Sequence, residues 1–448
     1  MAPTAISSAA SETNRVASNE RIRDYQEAEY QSARLVSPPL PVCRQGRLPT
    51  GGGSWEPGAP RCYGELMRLL HVIRSLNPAS GGPTDSAHMF AAAHQRAGNT
   101  VELATLDAPE EGFTNVAGAV VHPLGPGKGN YGFQPRLLDW LKANRSRFDG
   151  VIVNGLWQYH GVAARKAFLG VRPFVVFSHG MLDPYFNRRY PLKYLKKLVY
   201  WTMEERRTLN GAQAVCFTSE EEKRIAGIGF PGRNFRGVVV PYGTMGPPAG
   251  DPGAMRVEFL AAFPQLHGKH YLLYLSRIHP KKGCDLLIEA FAKAAPAAMQ
   301  LVMAGPDSEG WGETLRAQAE KLGITDRVHW TGMIRGGLKW GAIYGADAFI
   351  LPSHQENFGI SVADALACGV IPLISDQVNI APDVAADGAG LMEPDTLAGT
   401  IRLIERFNAL QPADLAAMRL AARACYEERY ALKYSAQEVY RAMGVASL

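Results

Sequence analysis

No stretch of this 448-residue chain approaches the roughly 18 uninterrupted apolar residues that a membrane-crossing helix requires. At its N-terminus Glu12, Glu20 and Asp24 stand among serines and alanines, with no apolar core of the kind that marks an export leader. These two absences predict a protein that stays in the cytoplasm. Cysteine is scarce and scattered. The six present, Cys43, Cys62, Cys216, Cys284, Cys368 and Cys425, have neither metal-ligand nor redox-pair spacing, so reduced buried thiols are expected in place of a disulfide framework or a thiolate metal site. There is little charge imbalance either. A net charge of +5 spread along the sequence gives nucleic-acid binding no support, and only the segment from Asn187 to Arg207 concentrates basic residues.

What is present is a repeated unit of apolar strand, punctuated loop and helix. Arg68–Ile73 reads as a strand, Asn77–Pro83 as a proline- and glycine-rich loop and Asp85–Arg96 as a helix. The alternation recurs through Val101–Thr105, Gly150–Val153, Phe174–Phe177 and Ala214–Phe217, the last leading into the acidic helix start Ser219–Glu222. Pro241–Gly250 then interrupts it with turn-forming residues, as an interdomain linker would. The pattern resumes at Tyr271–Leu275. The expected fold class is therefore α/β, with two doubly wound parallel sheets facing a cleft. Residues 1–60 are expected to be a disordered polar tail, 61–245 an N-terminal domain, 246–425 a C-terminal domain, and 426–448 a helix crossing back to the N-terminal lobe.

The densest chemical signal is Pro352-Ser-His-Gln-Glu-Asn-Phe-Gly-Ile-Ser-Val-Ala-Asp-Ala-Leu-Ala-Cys-Gly369, which follows the buried strand run Asp347–Leu351. It reads as a loop at the carboxyl edge of a sheet running into a short helix, where free amides attract phosphate and Gly359 permits close backbone approach. Two carboxylates, Glu356 and Asp364, are anomalous at an anion site unless they face hydroxyls, one of a hexose and the other of a ribose. One half-domain earlier, Ser276-Arg-Ile-His-Pro-Lys-Lys-Gly283 puts Arg277 and Lys282 on a single strand-to-helix loop. An arginine fork and a lysine point charge there would neutralise a diphosphate and stabilise charge on a departing nucleotide.

On these residues the lobe from Tyr271 to Ile374 resembles the donor-binding domain of family 4 glycosyltransferases, which have the GT-B fold of two Rossmann-like domains. Leu275–Phe291 is similar to that family's diphosphate loop and helix, and Glu356 to Asp364 to its two-glutamate motif. The likeness extends more loosely to Arg68, with Gly81-Gly82 similar to the first glycine loop and His179-Gly180 to the cleft histidine. The resemblance implies a hexosyltransferase in which Arg277 and Lys282 bind the diphosphate, Glu356 binds the donor sugar, the backbone of Phe358, Gly359 and Ile360 binds phosphate and sugar, and Asp364 holds the ribose. It also implies transfer with retained anomeric configuration, no cofactor beyond the nucleoside diphosphate sugar consumed as donor, and no metal; no Asp-x-Asp pair occurs to suggest one. Asp364 departs from the family's glutamate and is shorter by a methylene, so its ribose contact is expected to be longer or bridged by water.

Other residues carry two readings each. His179, paired with Glu356 in the expected catalytic set, is either a loop histidine or a cleft group beside the reacting phosphate or acceptor. Gly81 and Gly82 are either a tight turn or a close approach to ligand. His354 and Asn357 are near the site but have no assigned role. The basic and aromatic segment within 185–207 is either a core-packed amphipathic helix or a membrane contact in which Leu195, Leu198, Val199 and Trp201 enter the acyl boundary. The second reading suits an acceptor glycan on a polyprenyl diphosphate and a location on the inner face of the cell membrane. His179–Pro184, running into this segment, is similar to bacterial family 4 enzymes of exopolysaccharide assembly. The competing functions are a sugar-nucleotide epimerase of the same architecture and a non-catalytic sugar-nucleotide-binding protein.

Overall fold

The computed structural model describes residues 66–444 other than 78–79, 81, 114–115, 117, 185–190 and 308–309, and only the backbone of 191–193. The expected polar tail, Gly81, Cys43 and Cys62 therefore lie outside the described residues. Seven strands, Arg68–Ile73 (β1), Thr100–Thr105 (β2), Val120–Pro123 (β3), Gly150–Asn154 (β4), Phe174–Phe177 (β5), Ala214–Phe217 (β6) and Gly237–Val239 (β7), form one sheet in the order β3-β2-β1-β4-β5-β6-β7. Six more, Tyr271–Leu275 (β8), Gln300–Ala304 (β9), Val328–Gly332 (β10), Ala348–Leu351 (β11), Ile371–Ser375 (β12) and Leu391–Glu393 (β13), form the second in the order β10-β9-β8-β11-β12-β13. All neighbouring strands are parallel. The chain is thus a pair of Rossmann-like lobes.

The central strands are apolar but for a polar residue at the carboxyl end of β4 and β12, because both of their faces are covered by helices. All residues of β4, β5, β11 and β12 are buried. In each sheet the order reverses beside the first strand, between β1 and β4 and between β8 and β11. Loops leaving two such strands in opposite directions open a crevice at the carboxyl edge. The four described cysteines are free; Cys216, Cys284 and Cys425 are buried and Cys368 is partly so.

The segment Pro241–Gly250, which reads as a linker, is not a loose one. Val240, Tyr242 and Thr244 are buried. Thr244 N–H donates to the Tyr430 carbonyl at 2.9 Å, and the Thr244 carbonyl accepts from Leu432 N–H at 3.1 Å and from the Tyr426 hydroxyl at 2.9 Å. The outgoing crossing is thereby bonded to the returning one, which runs through Pro412–Cys425, a π turn at Tyr426–Tyr430 and the helix Leu432–Ala442. That last helix lies on Gly82–Arg96 of the first lobe, with the Tyr440 hydroxyl 2.7 Å from His94 Nδ1 and accepting from Asn99 Nδ2 at 2.7 Å.

One expectation is corrected here. Within the amphipathic segment, the helix Pro191–Tyr200 continues as a π turn, Trp201–Glu205, and the helix Arg206–Gly211. Trp201 is fully buried, stacked 4.9 Å from Phe230 with its Nε1 donating to the Pro231 carbonyl, and Leu198 packs into the same core. Neither can enter a bilayer, because an indole already satisfied in the core gains nothing by leaving it. Leu195 and Val199 are the exposed members, 60% and 54% accessible, and Met203 joins them at 58%. Tyr185–Tyr190 lie outside the described residues.

Candidate active site

The loops leaving β8 and β11, adjacent strands at the switch point, are stitched to one another. His354 N–H and the Ser353 hydroxyl both donate to the Lys281 carbonyl, at 2.9 and 3.1 Å. Gly283, at φ +66°, lies so close to Pro352 that a Cβ there would sit 2.0 Å from its carbonyl oxygen, so the contact requires glycine on two grounds. The Tyr274 hydroxyl, donating to the Arg277 carbonyl at 2.6 Å, holds the other end of the cation loop. Glu356 is pinned from the far side by Gln377 and Asn379, through bonds to its own N–H and carbonyl of 3.0 Å each.

This stitching brings Arg277, Lys282, Glu356, Phe358, Gly359, Ile360 and Asp364 to one cavity of about 380 Å³, closed from the N-terminal lobe by Gly82, Pro83, Asp85, His179 and Tyr242. The volume falls within the roughly 300–1,000 Å³ usual for small-molecule sites. Lys282, only 6% exposed, is ion-paired with Glu356, whereas Arg277 is exposed at the rim. Asp364, 2% exposed, pairs with Lys339 at 2.6 Å. Burial pushes the Asp364 carboxyl above its ordinary range, and Lys339 draws it back. Gly359, at φ +83°, precedes the helix Ile360–Ala367, whose first amides have no intrahelical acceptor and border the cavity.

Across the cavity, His179 has an unusual left-handed backbone, φ +50°, followed by Gly180 at +73°. Its ring lies between Phe177 and Tyr242, at 5.8 and 5.6 Å. Burial holds it down to about 3, so the ring is neutral at ordinary pH. Both ring nitrogens and the Tyr242 hydroxyl are buried with no partner among the described residues. Leaving such groups unsatisfied costs about 1–3 kcal/mol each, and they border a cavity in which hydroxyl-bearing ligands could meet them.

Glu222 holds the histidine loop. This carboxylate, 2% exposed, accepts from the Ser178 hydroxyl, Gly180 N–H at 2.7 Å, Thr218 N–H and hydroxyl at 2.7 Å each, and Asn357 Nδ2 at 3.3 Å. The last donor comes from the opposite lobe. Asn357 also donates to the Thr218 hydroxyl at 3.1 Å, and a Cβ on Gly180 would meet its side chain at 2.9 Å. Gln355, donating to Asp183 at 2.9 Å, is a second residue bonded across the cleft.

Residues 81–243 match the family model Glycosyl transferase 4-like domain, and residues 258–413 match Glycosyl transferases group 1. The two together run through both lobes. This chain belongs to the family 4 glycosyltransferases of the GT-B fold. It is similar to the GDP-mannose:cellobiosyl-diphosphopolyprenol alpha-mannosyltransferase of Xanthomonas campestris, 24% identical over 396 residues that cover 84% of this chain and 98% of the relative. The protein of the same name from Xanthomonas oryzae pv. oryzae is 25% identical over 329 residues, covering 69% of this chain and 79% of that one. Among solved structures, Anabaena HepE in complex with UDP and glucose superimposes with a TM-score of 0.65 at 18% identity, over 85% of this chain and all of that one, a likeness of fold.

Sequence reasoning had no hold on several residues of this glycosyltransferase's cleft. Lys339 lies in the helix Gly336–Gly345 and belongs to no local motif. Asp85, whose carboxyl burial pushes upward against the pull of His88 and Arg335, was legible only as a first-turn helix residue. Glu222 is the third of three glutamates in a capped first turn, where helix-dipole stabilisation already accounts for all three. Its burial is the distinguishing feature, since Glu220 is exposed. Asn357 had no reason to be separated from its neighbours until Gly180 and Glu222 were seen against it.

Proposed function

We propose that this glycosyltransferase moves a hexose from a nucleoside diphosphate sugar to an oligosaccharide carried on a polyprenyl diphosphate, with retention of configuration and without a metal ion. The supporting observation is the cavity between the lobes, which is bordered by the cations Arg277, Lys282 and Lys339, the carboxylates Asp85, Glu356 and Asp364, and a neutral histidine with no partner among the described residues. Arg277 and Lys282 take the diphosphate, and their charge stabilises the nucleotide as the glycosidic bond breaks. The ion pair with Glu356 fixes Lys282 between phosphate and sugar, so that one carboxylate orders both the cation and the hexose hydroxyls. Asp364 takes the ribose, with Lys339 offsetting its buried charge. The amides at Phe358, Gly359 and Ile360 take phosphate and sugar oxygens, and His179 bonds a hydroxyl of the sugar or the acceptor beside the reacting centre. The hydrogen bonds across the cleft favour closure, which excludes the water that would otherwise hydrolyse the donor. Retention follows from the family resemblance.

The Xanthomonas relatives' names make GDP-mannose and a cellobiosyl-diphosphopolyprenol the first donor and acceptor to try. The protein is expected to work at the inner face of the cell membrane. No helix among the described residues is long and apolar enough to cross a bilayer, so contact would be peripheral, through the exposed Leu195, Val199 and Met203. The test is transfer of labelled hexose from GDP-mannose and UDP-glucose to that acceptor. Wild-type protein is expected to extend the lipid-linked glycan, and Lys282→Ala to lower kcat by about 100-fold or more. Donor isomerised without glycan extension would support an epimerase and contradict this reading.

A further inference from the structure

Three parts of the donor have residues waiting for them in the cavity: the diphosphate at Arg277 and Lys282, the hexose at Glu356 and the ribose at Asp364. Asp85 has no such role. It stands in the first turn of the helix Gly82–Arg96 and borders the cavity from the N-terminal lobe. A carboxylate at that place commonly serves the free amides of its own helix. Asp85 serves none, since it makes no hydrogen bond or ion pair among the described residues.

Its charged neighbours locate it along the cavity. They are His88, one turn on in the same helix, and Arg335, at the head of the opposing helix Gly336–Gly345. Lys339, one turn into that opposing helix, holds Asp364 at the ribose position, whereas Lys282 and Glu356 are not among the charges that reach Asp85. Asp85 therefore faces the nucleoside end of the cavity and not the diphosphate. Arg335 is exposed there, its Nε donating to the Met333 thioether at 3.2 Å, which leaves the face of the guanidinium to lie on a flat ring.

An ionised carboxylate offers two acceptors and no donor. Guanine matches it, because its N1–H and 2-amino group are adjacent donors on one edge. Uracil sets its one N–H between two carbonyls, which a carboxylate repels, and adenine sets its amino group beside a bare ring nitrogen. Burial pushes the Asp85 carboxyl upward, while His88 and Arg335 draw it toward the charged form that accepting from two donors requires. We propose that Asp85 reads the base of the donor nucleotide, accepting from N1–H and the 2-amino group of guanine, with Arg335 on the face of the ring. The inference rests on the sugar-nucleotide site proposed above and names its base from a residue of the opposite lobe.

The test is calorimetric titration of the full-length wild type and Asp85→Asn with GDP, inosine diphosphate, UDP and xanthosine diphosphate. Wild type is expected to bind GDP about tenfold more tightly than inosine diphosphate, which lacks the 2-amino group, and to prefer GDP to UDP. In Asp85→Asn that preference should fall by roughly tenfold or more. Xanthosine diphosphate carries a C2 carbonyl in place of the amino group and meets the asparagine amide with an acceptor, so it should bind Asp85→Asn more tightly than it binds the wild type. That gain also shows that the variant is folded. Arg335→Ala should weaken GDP and inosine diphosphate by the same factor, about threefold, because both present the same ring. Equal binding of GDP and inosine diphosphate by the wild type, or a GDP preference that survives in Asp85→Asn, would overturn the base contact. A wild type that prefers UDP would overturn guanine and leave the transferase reading standing, whereas one that binds none of the four nucleotides would remove the sugar-nucleotide site itself.

Discussion

At the cleft the two lobes bury polar groups by opposite means. The C-terminal lobe carries full charges into the cleft and pairs them, Lys282 with Glu356 and Lys339 with Asp364. Beside the cleft the N-terminal lobe buries His179, neutralised by its surroundings, and Glu222, held by hydroxyl and amide donors alone; away from it the lobe buries three more neutral histidines, His71, His94 and His160, and the carboxylates Glu102, Asp107 and Glu205, of which Glu102 pairs with Arg147 at 2.8 Å. Paired charges tolerate burial when each partner meets the other, and they remain able to exchange one partner for a charged ligand. Neutral groups fix geometry without attracting a diphosphate. The contrast suits a donor lobe that binds a charged nucleotide and an opposing lobe that positions hydroxyls.

The sharpest way to break the comparison is at Glu222. Glu222→Gln replaces one acceptor oxygen with a donor facing groups that already donate, and about 3 kcal/mol of stability should be lost as two of them are stranded. Because Glu222 orders His179 and touches no substrate, donor affinity should change less than twofold while kcat falls by about tenfold or more. Urea denaturation and initial-rate kinetics measure both. Unchanged stability and turnover would mean that the histidine loop does not depend on this carboxylate.

Lys339→Met sharpens the other half. It strands the buried Asp364, and the expected loss is about 2 kcal/mol, below the 3–5 typical of a fully buried pair because the lysine is 27% exposed. The donor KM should rise more than kcat falls. Lys339→Met/Asp364→Asn should recover the stability but not the donor affinity; recovery of both would remove the ribose assignment.

A smaller effect follows from pH. Burial holds His71 and His179 down to about 3 and His160 to about 4, and lowers His94 as well. The unfolded chain takes up these protons below about 6.5, so their contribution to stability is fully present above that pH and declines as pH falls from 6.5 toward 4. Glu205, raised by burial to about 7, has the opposite sign and offsets one of the four, since it favours the folded state as pH drops from 7 toward its ordinary value. Thermal melts should show net destabilisation across that window, and amide exchange should quicken first in the N-terminal lobe. A flat profile would mean that the histidines are not buried neutral.

The legibility of the sequence divides along the same line. The donor loops can be read from their residues because Arg277 and Lys282 lie within one loop, and Glu356 and Asp364 within one loop and helix, each at the end of an unmistakable buried strand. Parallel order and the switch point then bring the two loops together without further information. His179 could be named, but not its support, since Ser178 and Glu222 are 44 residues apart and Asn357 is 135 residues beyond Glu222. Trp201 carried two readings because a helical stripe of large apolar residues looks the same whether it faces lipid or Phe230. Only the packing partner, supplied by a distant segment, separates those cases.

The most direct measurement of the central claim is ligand-induced stabilisation of wild type, Lys282→Ala and Glu356→Gln by a nucleoside diphosphate and by the corresponding nucleotide sugar, starting with GDP and GDP-mannose. The wild type should be stabilised by both ligands, and more by the sugar nucleotide. Lys282→Ala should lose most of the response to each, whereas Glu356→Gln should retain the nucleotide response and lose the increment contributed by the hexose. Full stabilisation of both variants by both ligands would contradict a single sugar-nucleotide site built from these two loops.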